Sequence, residues 1–170
     1  SIKIKALNLF FMKTNQNLLT ILIAEDDEDD YTLITDVLKI AQKDSQKDAQ
    51  NLSQNEYQIH WVRDGEELIE YLNSTEKSGD QKKETPHIIL LDLNMPKKDG
   101  REALQEIKSN TKFKNIPVIV LTTSQAKIDI QRAYDLGANS FIQKPFKYAD
   151  FHSMMENCFK YWIHTVKLPS

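Results

Sequence analysis

The chain has 170 residues, 40% of them apolar and 28% charged, a size and composition that suit one globular domain, since a single core serves chains of up to roughly 250 residues. A formal net charge of -3, from 22 basic and 25 acidic residues, leaves no polycationic surface for nucleic acid or an anionic membrane. Cys158 is the only cysteine, which excludes an internal disulfide framework and a cysteine metal site, and no apolar run approaches the roughly 20 residues that cross a bilayer, so a reducing cytoplasm is the expected setting.

The first eleven residues are partly apolar but lack a small-residue cleavage site, and Met12-Lys13-Thr14 comes next like a natural start. Residues 1–17 are therefore read as an N-terminal extension and 18–168 as the domain. The apolar, β-branched run at 20–24 predicts a first strand, and Leu33, Val37, Leu38 and Ala41 then recur at helical period. Residues 43–56, rich in Gln, Lys, Asp and Ser, read as a mobile loop. A second strand at 58–62 precedes helical spacing of Leu68, Ile69 and Leu72, and 73–85 reads as another polar loop. The third strand, 87–91, leads to Ala103, Leu104 and Ile107; the fourth, 117–121, leads to Ile130, Ala133, Tyr134 and Leu136 before Gly137. A short fifth strand at 140–142 is followed by a last helix over 148–166.

Apolarity in these strands is continuous rather than alternating, as in strands covered on both faces. Strand and helix alternate five times, which predicts a parallel sheet with helices on both sides and a binding site beyond the strands' C-terminal ends. Those ends carry Glu25-Asp26, Asp92, Thr122 and Gln143-Lys144-Pro145. Crowded carboxylates repel unless a hard divalent cation and an ammonium supply opposite charge, which Mg²⁺, or Mn²⁺, and Lys144 would do. Asp26, Asp92 and the Asn94 backbone carbonyl are candidate ligands for the cation, with Glu25 acting directly or through water. Asp92 could then attack a phosphoryl group in line while Lys144 and the Thr122 hydroxyl meet the charge on its oxygens.

At these residues the sequence resembles the response regulator receiver family from about Leu18 to Lys147. The resemblance rests on Ile21-Leu22-Ile23-Ala24-Glu25-Asp26, on Leu90-Leu91-Asp92-Leu93-Asn94-Met95-Pro96 with Asp99-Gly100, on Val120-Leu121-Thr122-Thr123-Ser124, and on Lys144-Pro145-Phe146. It implies a flavodoxin-like (βα)5 doubly wound sheet of strand order 2-1-3-4-5. It also implies Asp92 as phosphoacceptor, Glu25 and Asp26 as the acidic metal pair, Thr122 as switch hydroxyl, Lys144 as the phosphate-pairing lysine and Phe141 as the rotating aromatic. The Lys144-Pro145 bond in this family is often cis. The plain alternatives are that Asp27 to Asp30 merely start a helix, that Phe141 is a core aromatic, and that His152 and Cys158 only pack or face solvent.

No helix-turn-helix or catalytic domain fits into the residues after Phe146, so output is expected through the receiver's own surface. The last helix carries Phe159, Tyr161, Ile163 and Val166 beyond the stripe of Phe151, Met154, Met155, Cys158 and Trp162, and this wide apolar arc suggests either an interface or a helix buried on both sides. The interface reading is a homodimer through the fourth helix, fifth strand and fifth helix. Residues 161–169, together with the acid-rich first loop, resemble single-domain regulators that serve phytochrome histidine kinases, which implies a sensor histidine kinase as phosphodonor. Two rivals stand beside this: a pseudo-receiver that docks without phosphorylation, and a haloacid-dehalogenase-like phosphatase, whose second aspartate is replaced here by Asn94.

Overall fold

The computed structural model describes residues 18–47, 56–77, 79 and 83–169; the predicted extension, residues 1–17, lies outside them. Five strands, β1 (Leu18–Ala24), β2 (Glu56–Val62), β3 (Ile88–Leu91), β4 (Val118–Thr122) and β5 (Ser140–Gln143), alternate with α1 (Glu28–Lys47), α2 (Gly65–Ser74), α3 (Gly100–Ser109), α4 (Lys127–Asp135) and α5 (Tyr148–Phe159). All pairings are parallel and the order is β2-β1-β3-β4-β5, the flavodoxin-like topology that the family resemblance implies.

The two-residue period of each strand divides the core. Leu22 and Ala24, Ile89 and Leu91, and Val118 and Val120 pack toward α2 and α3, where Leu68, Leu72, Ala103, Leu104 and Ile107 are buried. The intervening Ile21, Ile23, Ile88, Leu90, Ile119 and Leu121 meet Leu33, Ile34, Val37 and Leu38 of α1 and Phe151, Met155 and Phe159 of α5. Both faces are dry, which accounts for the unbroken apolarity of the strands.

The strands fall within two residues of the sequence expectation, and three helix boundaries differ from it. Helix α1 continues to Lys47, into the predicted loop 43–56, because Lys, Gln and Asp tolerate helix and no Gly or Pro interrupts them; residues 48–55 lie outside the described residues. Helix α2 likewise runs through Ser74. The last helix is α-helical only to Phe159 and changes to a π-helical segment over Lys160–Thr165, closed where the Val166 N–H donates to the Tyr161 carbonyl at 3.0 Å.

Much of the apolar arc of that last helix is core. Phe159 and Ile163 are buried, and Met154, Trp162 and Leu168 are half-buried against the same cluster, leaving Tyr148 and Tyr161 exposed. Among the described residues no helix is long and apolar enough to cross a membrane.

Candidate functional site

The strand register carries the acidic residues to one edge of the sheet. The Glu25 N–H donates to the Val62 carbonyl at 3.0 Å, the Asp92 N–H to Ala24 at 2.9 Å and the Lys144 N–H to Thr122 at 2.7 Å, so each side chain leaves the sheet just past its last ladder bond. The loop after Asp92 must fold back tightly onto it. A Cβ on Gly100 would collide with the Asp92 carbonyl oxygen, and one on Gly65 with that of Lys98, so both positions need glycine for space. Asp99 and Asp64 cap the helices that these glycines begin.

Glu25, Asp92, Thr122 and Lys144 are buried at this edge and Asp26 is exposed. Carboxylate oxygens of Glu25, Asp26 and Asp92 lie within 4.8 Å of one another. The Lys144 ammonium donates to Glu25 Oε2 at 2.6 Å, to Asp30 Oδ2 at 2.7 Å and to Asp92 Oδ2 at 2.8 Å. The Glu25 carboxyl is pushed up to about 8, mainly by burial, with Lys144 opposing the rise and Asp92 adding to it. Burial alone would lower the Lys144 ammonium, but the Glu25 and Asp92 carboxylates reverse this and raise it above the ordinary lysine value.

Three carboxylates thus contact one ammonium and a fourth, Asp26, lies beside two of them, an excess of negative charge in a partly buried pocket. The oxygen-only donor set of Glu25, Asp26 and Asp92 suits a hard divalent cation, which would offset the negative charge that one lysine leaves. The remaining oxygens are ordered too. Asp92 Oδ1 accepts the Asn94 N–H at 2.9 Å, and Thr122 Oγ1 lies 3.3 Å from both the Asn94 side-chain nitrogen and the Ser124 N–H.

The structure therefore gathers Glu25, Asp26, Asp92, Thr122 and Lys144 as the sequence predicts, with Asn94 beside them. Phe141 stands on β5, half-buried against the core, its N–H donating to the Tyr134 hydroxyl at 3.1 Å. Among the described residues no peptide bond is cis, so Lys144-Pro145 is trans.

Asp27 is the helix cap that the plain reading describes, accepting the N–H groups of Asp29 and Asp30 at 2.9 Å. Asp30 is not merely a helix-start residue: it joins the lysine. Its position one turn beyond Asp26 was the available signal. Nothing in the sequence marks Trp61, whose indole N–H donates to the Glu25 carbonyl at 2.8 Å while its ring stacks on Tyr31 at 4.0 Å.

Fold and site together define a doubly wound α/β protein with an acidic, lysine-bridged centre at the C-terminal edge of its sheet. The response regulator receiver domain family matches residues 21–156, and the chain belongs to that family. Rcp1, a response regulator of Synechocystis sp., is 36% identical over 151 residues, 88% of this chain and 92% of its own. The crystal structure of the Mn²⁺-bound form of Rcp1 superposes with a TM-score of 0.76, covering 89% of this chain and 99% of that one. The phosphorylated cyanobacterial phytochrome response regulator RcpA, 37% identical, gives 0.76 at the same coverage. RPA3017, a response regulator in red light signalling of R. palustris, gives 0.72 at 29% identity, again covering 89% and 99%. Receiver domains are signalling modules, generally without enzymatic turnover, that interact with sensor histidine kinases.

Proposed function

We propose that the chain accepts a phosphoryl group from a sensor histidine kinase, of the phytochrome type, onto Asp92. The observation that carries this reading is the convergence on Asp92: a lysine ammonium at 2.8 Å and two further carboxylates within 4.8 Å, all at one sheet edge. Mg²⁺ is the proposed cation, with Mn²⁺ able to substitute; held by Glu25, Asp26, Asp92 and the Asn94 backbone carbonyl, it would neutralise the carboxylates and the incoming phosphoryl charge.

The chain's own groups do the rest. The Asn94 N–H and the Lys144 ammonium each hold one Asp92 oxygen, fixing the carboxylate for in-line attack. As the Asp92 O–P bond forms, the P–N bond of the kinase phosphohistidine breaks and its electron pair leaves with the imidazole nitrogen. Lys144 and the Thr122 hydroxyl then donate to phosphoryl oxygens, and the burial of Asp92 limits access of water to the acyl phosphate.

In this reading residues 18–168 act as one cytoplasmic receiver whose output is protein contact. A homodimer through α4, β5 and α5 is supported by the exposed apolar side chains Ile128, Ile130, Tyr134 and Tyr148. Neither rival class gains support. Asp92, Thr122 and Lys144 are all in place, and the Asn94 amide points at Thr122 where a phosphatase would need an acid.

The test is intact-mass spectrometry after incubation with acetyl phosphate and Mg²⁺. Wild type should gain one base-labile phosphoryl group and Asp92→Asn none, with the fold retained because the change is nearly isosteric. A variant labelled at the wild-type rate would remove Asp92 from the role.

A further inference from the structure

A lysine ammonium has three N–H donors. In this chain all three are engaged, by Glu25, Asp30 and Asp92. Two of those acceptors are explained by the phosphoacceptor reading, one as a candidate metal ligand and one as the nucleophile. Asp30 has neither role, since the carboxylates that converge for a cation are Glu25, Asp26 and Asp92. Nor is Asp30 needed to start its helix: Asp27 supplies the cap, and Glu28 and Asp29 already place negative charge in the first turn.

We propose that Asp30 is a positioning residue for Lys144 that restrains phosphorylation by holding one of the ammonium N–H groups that a phosphoryl oxygen must take. The inference rests on the reading of Asp92 as the phosphoacceptor. The charge balance gives its sign. Ionised around a divalent cation, Glu25, Asp26 and Asp92 carry three negative charges, which that cation and Lys144 would cancel; Asp30 adds one more and leaves the centre formally anionic before the phosphoryl group arrives. An anionic donor enters against that charge and competes with Asp30 for the lysine.

Space for the displacement exists. The Asp30 side chain is 29% exposed and borders a cleft of about 390 Å³ between α1 and the β5–α5 loop, walled by Leu33, Pro145, Phe146, Tyr148 and Phe151. Rotation of Asp30 toward this cleft would release Lys144. Lys144 itself is 3% exposed and stays beneath.

The experiment compares wild type, Asp30→Asn and Asp30→Glu for initial phosphorylation rate against acetyl phosphate concentration with Mg²⁺, and for beryllofluoride affinity by fluorine NMR. Asp30→Asn should react about threefold to tenfold faster at low donor concentration, the order expected from removing one partly exposed charge beside an anion, and bind beryllofluoride tighter by a similar factor. The gap should narrow as salt is added, and Asp30→Glu should stay near wild type. A general loss of structure would not produce this gain, its salt dependence or its rescue. If wild type forms no adduct, the phosphoacceptor reading falls and this inference with it. If wild type reacts and Asp30→Asn reacts no faster, or more slowly, this inference alone is overturned.

Discussion

The centre of the sheet and the fourth helix are held by opposite means. Strands β1, β3 and β4 are covered on both faces, and Glu25, Asp92 and Thr122 sit at their ends on ladder-bonded backbone. Helix α4 buries one residue, Ala133, and its first residues have no side-chain cap. It is tied down by polar contacts instead. Arg101 of α3 grips Asp129 with Nε at 3.0 Å and Nη2 at 2.8 Å and also meets Asp99 at 3.0 Å. Ser124 Oγ donates to Asp129 at 2.6 Å, and at the other end the Tyr134 hydroxyl receives the Phe141 N–H. Apolar packing is strong and hard to rearrange, whereas a few hydrogen bonds can be exchanged at small cost. The chemistry therefore sits on the rigid region, and the loop that follows Thr122 leads into the adjustable one, which a local charge change could shift more readily.

The contrast is broken most sharply by truncating equivalent side chains in the two regions. Ile119 is fully buried in β4 and Ile128 of α4 is 71% exposed. Ile119→Ala should cost about 2–5 kcal/mol in urea or thermal unfolding, because the cavity lies between packed layers that cannot collapse onto it. Ile128→Ala should change stability by less than about 0.5 kcal/mol, as expected for a surface substitution. Comparable losses would mean that α4 is packed as firmly as the sheet.

A smaller effect sharpens the contrast at the polar clamp. The Arg101 hydrogen bonds hold the Asp129 carboxyl below the usual carboxylate range, with Ser124 adding to the effect. Arg101→Ala should cost about 1 kcal/mol, since both partners are only partly withdrawn from water. Its main signature should be local: faster amide exchange over residues 122–130 with β1 and β3 unchanged. A double-mutant cycle with Asp129→Ala would show whether the two act as one unit. Uniform acceleration across the sheet would mean that the clamp serves global stability and not the loop.

The fold was legible in the sequence because burial on both faces leaves runs of apolar residues that polar punctuation separates cleanly. The site was legible for a related reason: a parallel sheet collects its strand ends, so Glu25, Asp92, Thr122 and Lys144 could be placed together without knowledge of any contact. Trp61 and Arg101 were not legible, and Asp30 was legible only as an acid one turn beyond Asp26. Each acts from a helix or an edge strand whose phase and tilt decide whether it reaches the site, and an acidic residue in a helix's first turn always has a simpler explanation. The apolar arc of the last helix was misleading in part for the converse reason: periodicity shows that residues share a face and leaves open how much of that face a neighbouring element covers, and here α5 and its π-helical extension fold Phe159 and Ile163 back onto the sheet.

The smallest expected effect lies at the edge strand beside α2, where His60 tests whether rigidity extends to the margin of the sheet. His60 Nε2 is buried without a hydrogen-bond partner, and its ring packs at 5.1 Å from that of Tyr71. Burial lowers the imidazole below its ordinary value, with Lys83 assisting and Glu84 opposing. The folded state thus binds a proton less readily than the unfolded chain, so the stability associated with neutral His60 is fully present above about pH 6.5 and declines as pH falls through the lower, folded value. His60→Phe keeps the ring against Tyr71 and removes the titration. The unfolding midpoint of this variant should fall less steeply than that of wild type between neutral pH and pH 5, while the two coincide in slope above pH 7. Parallel acid limbs would mean that β2 opens enough for His60 to be protonated in place, and the rigid region would then end at β1.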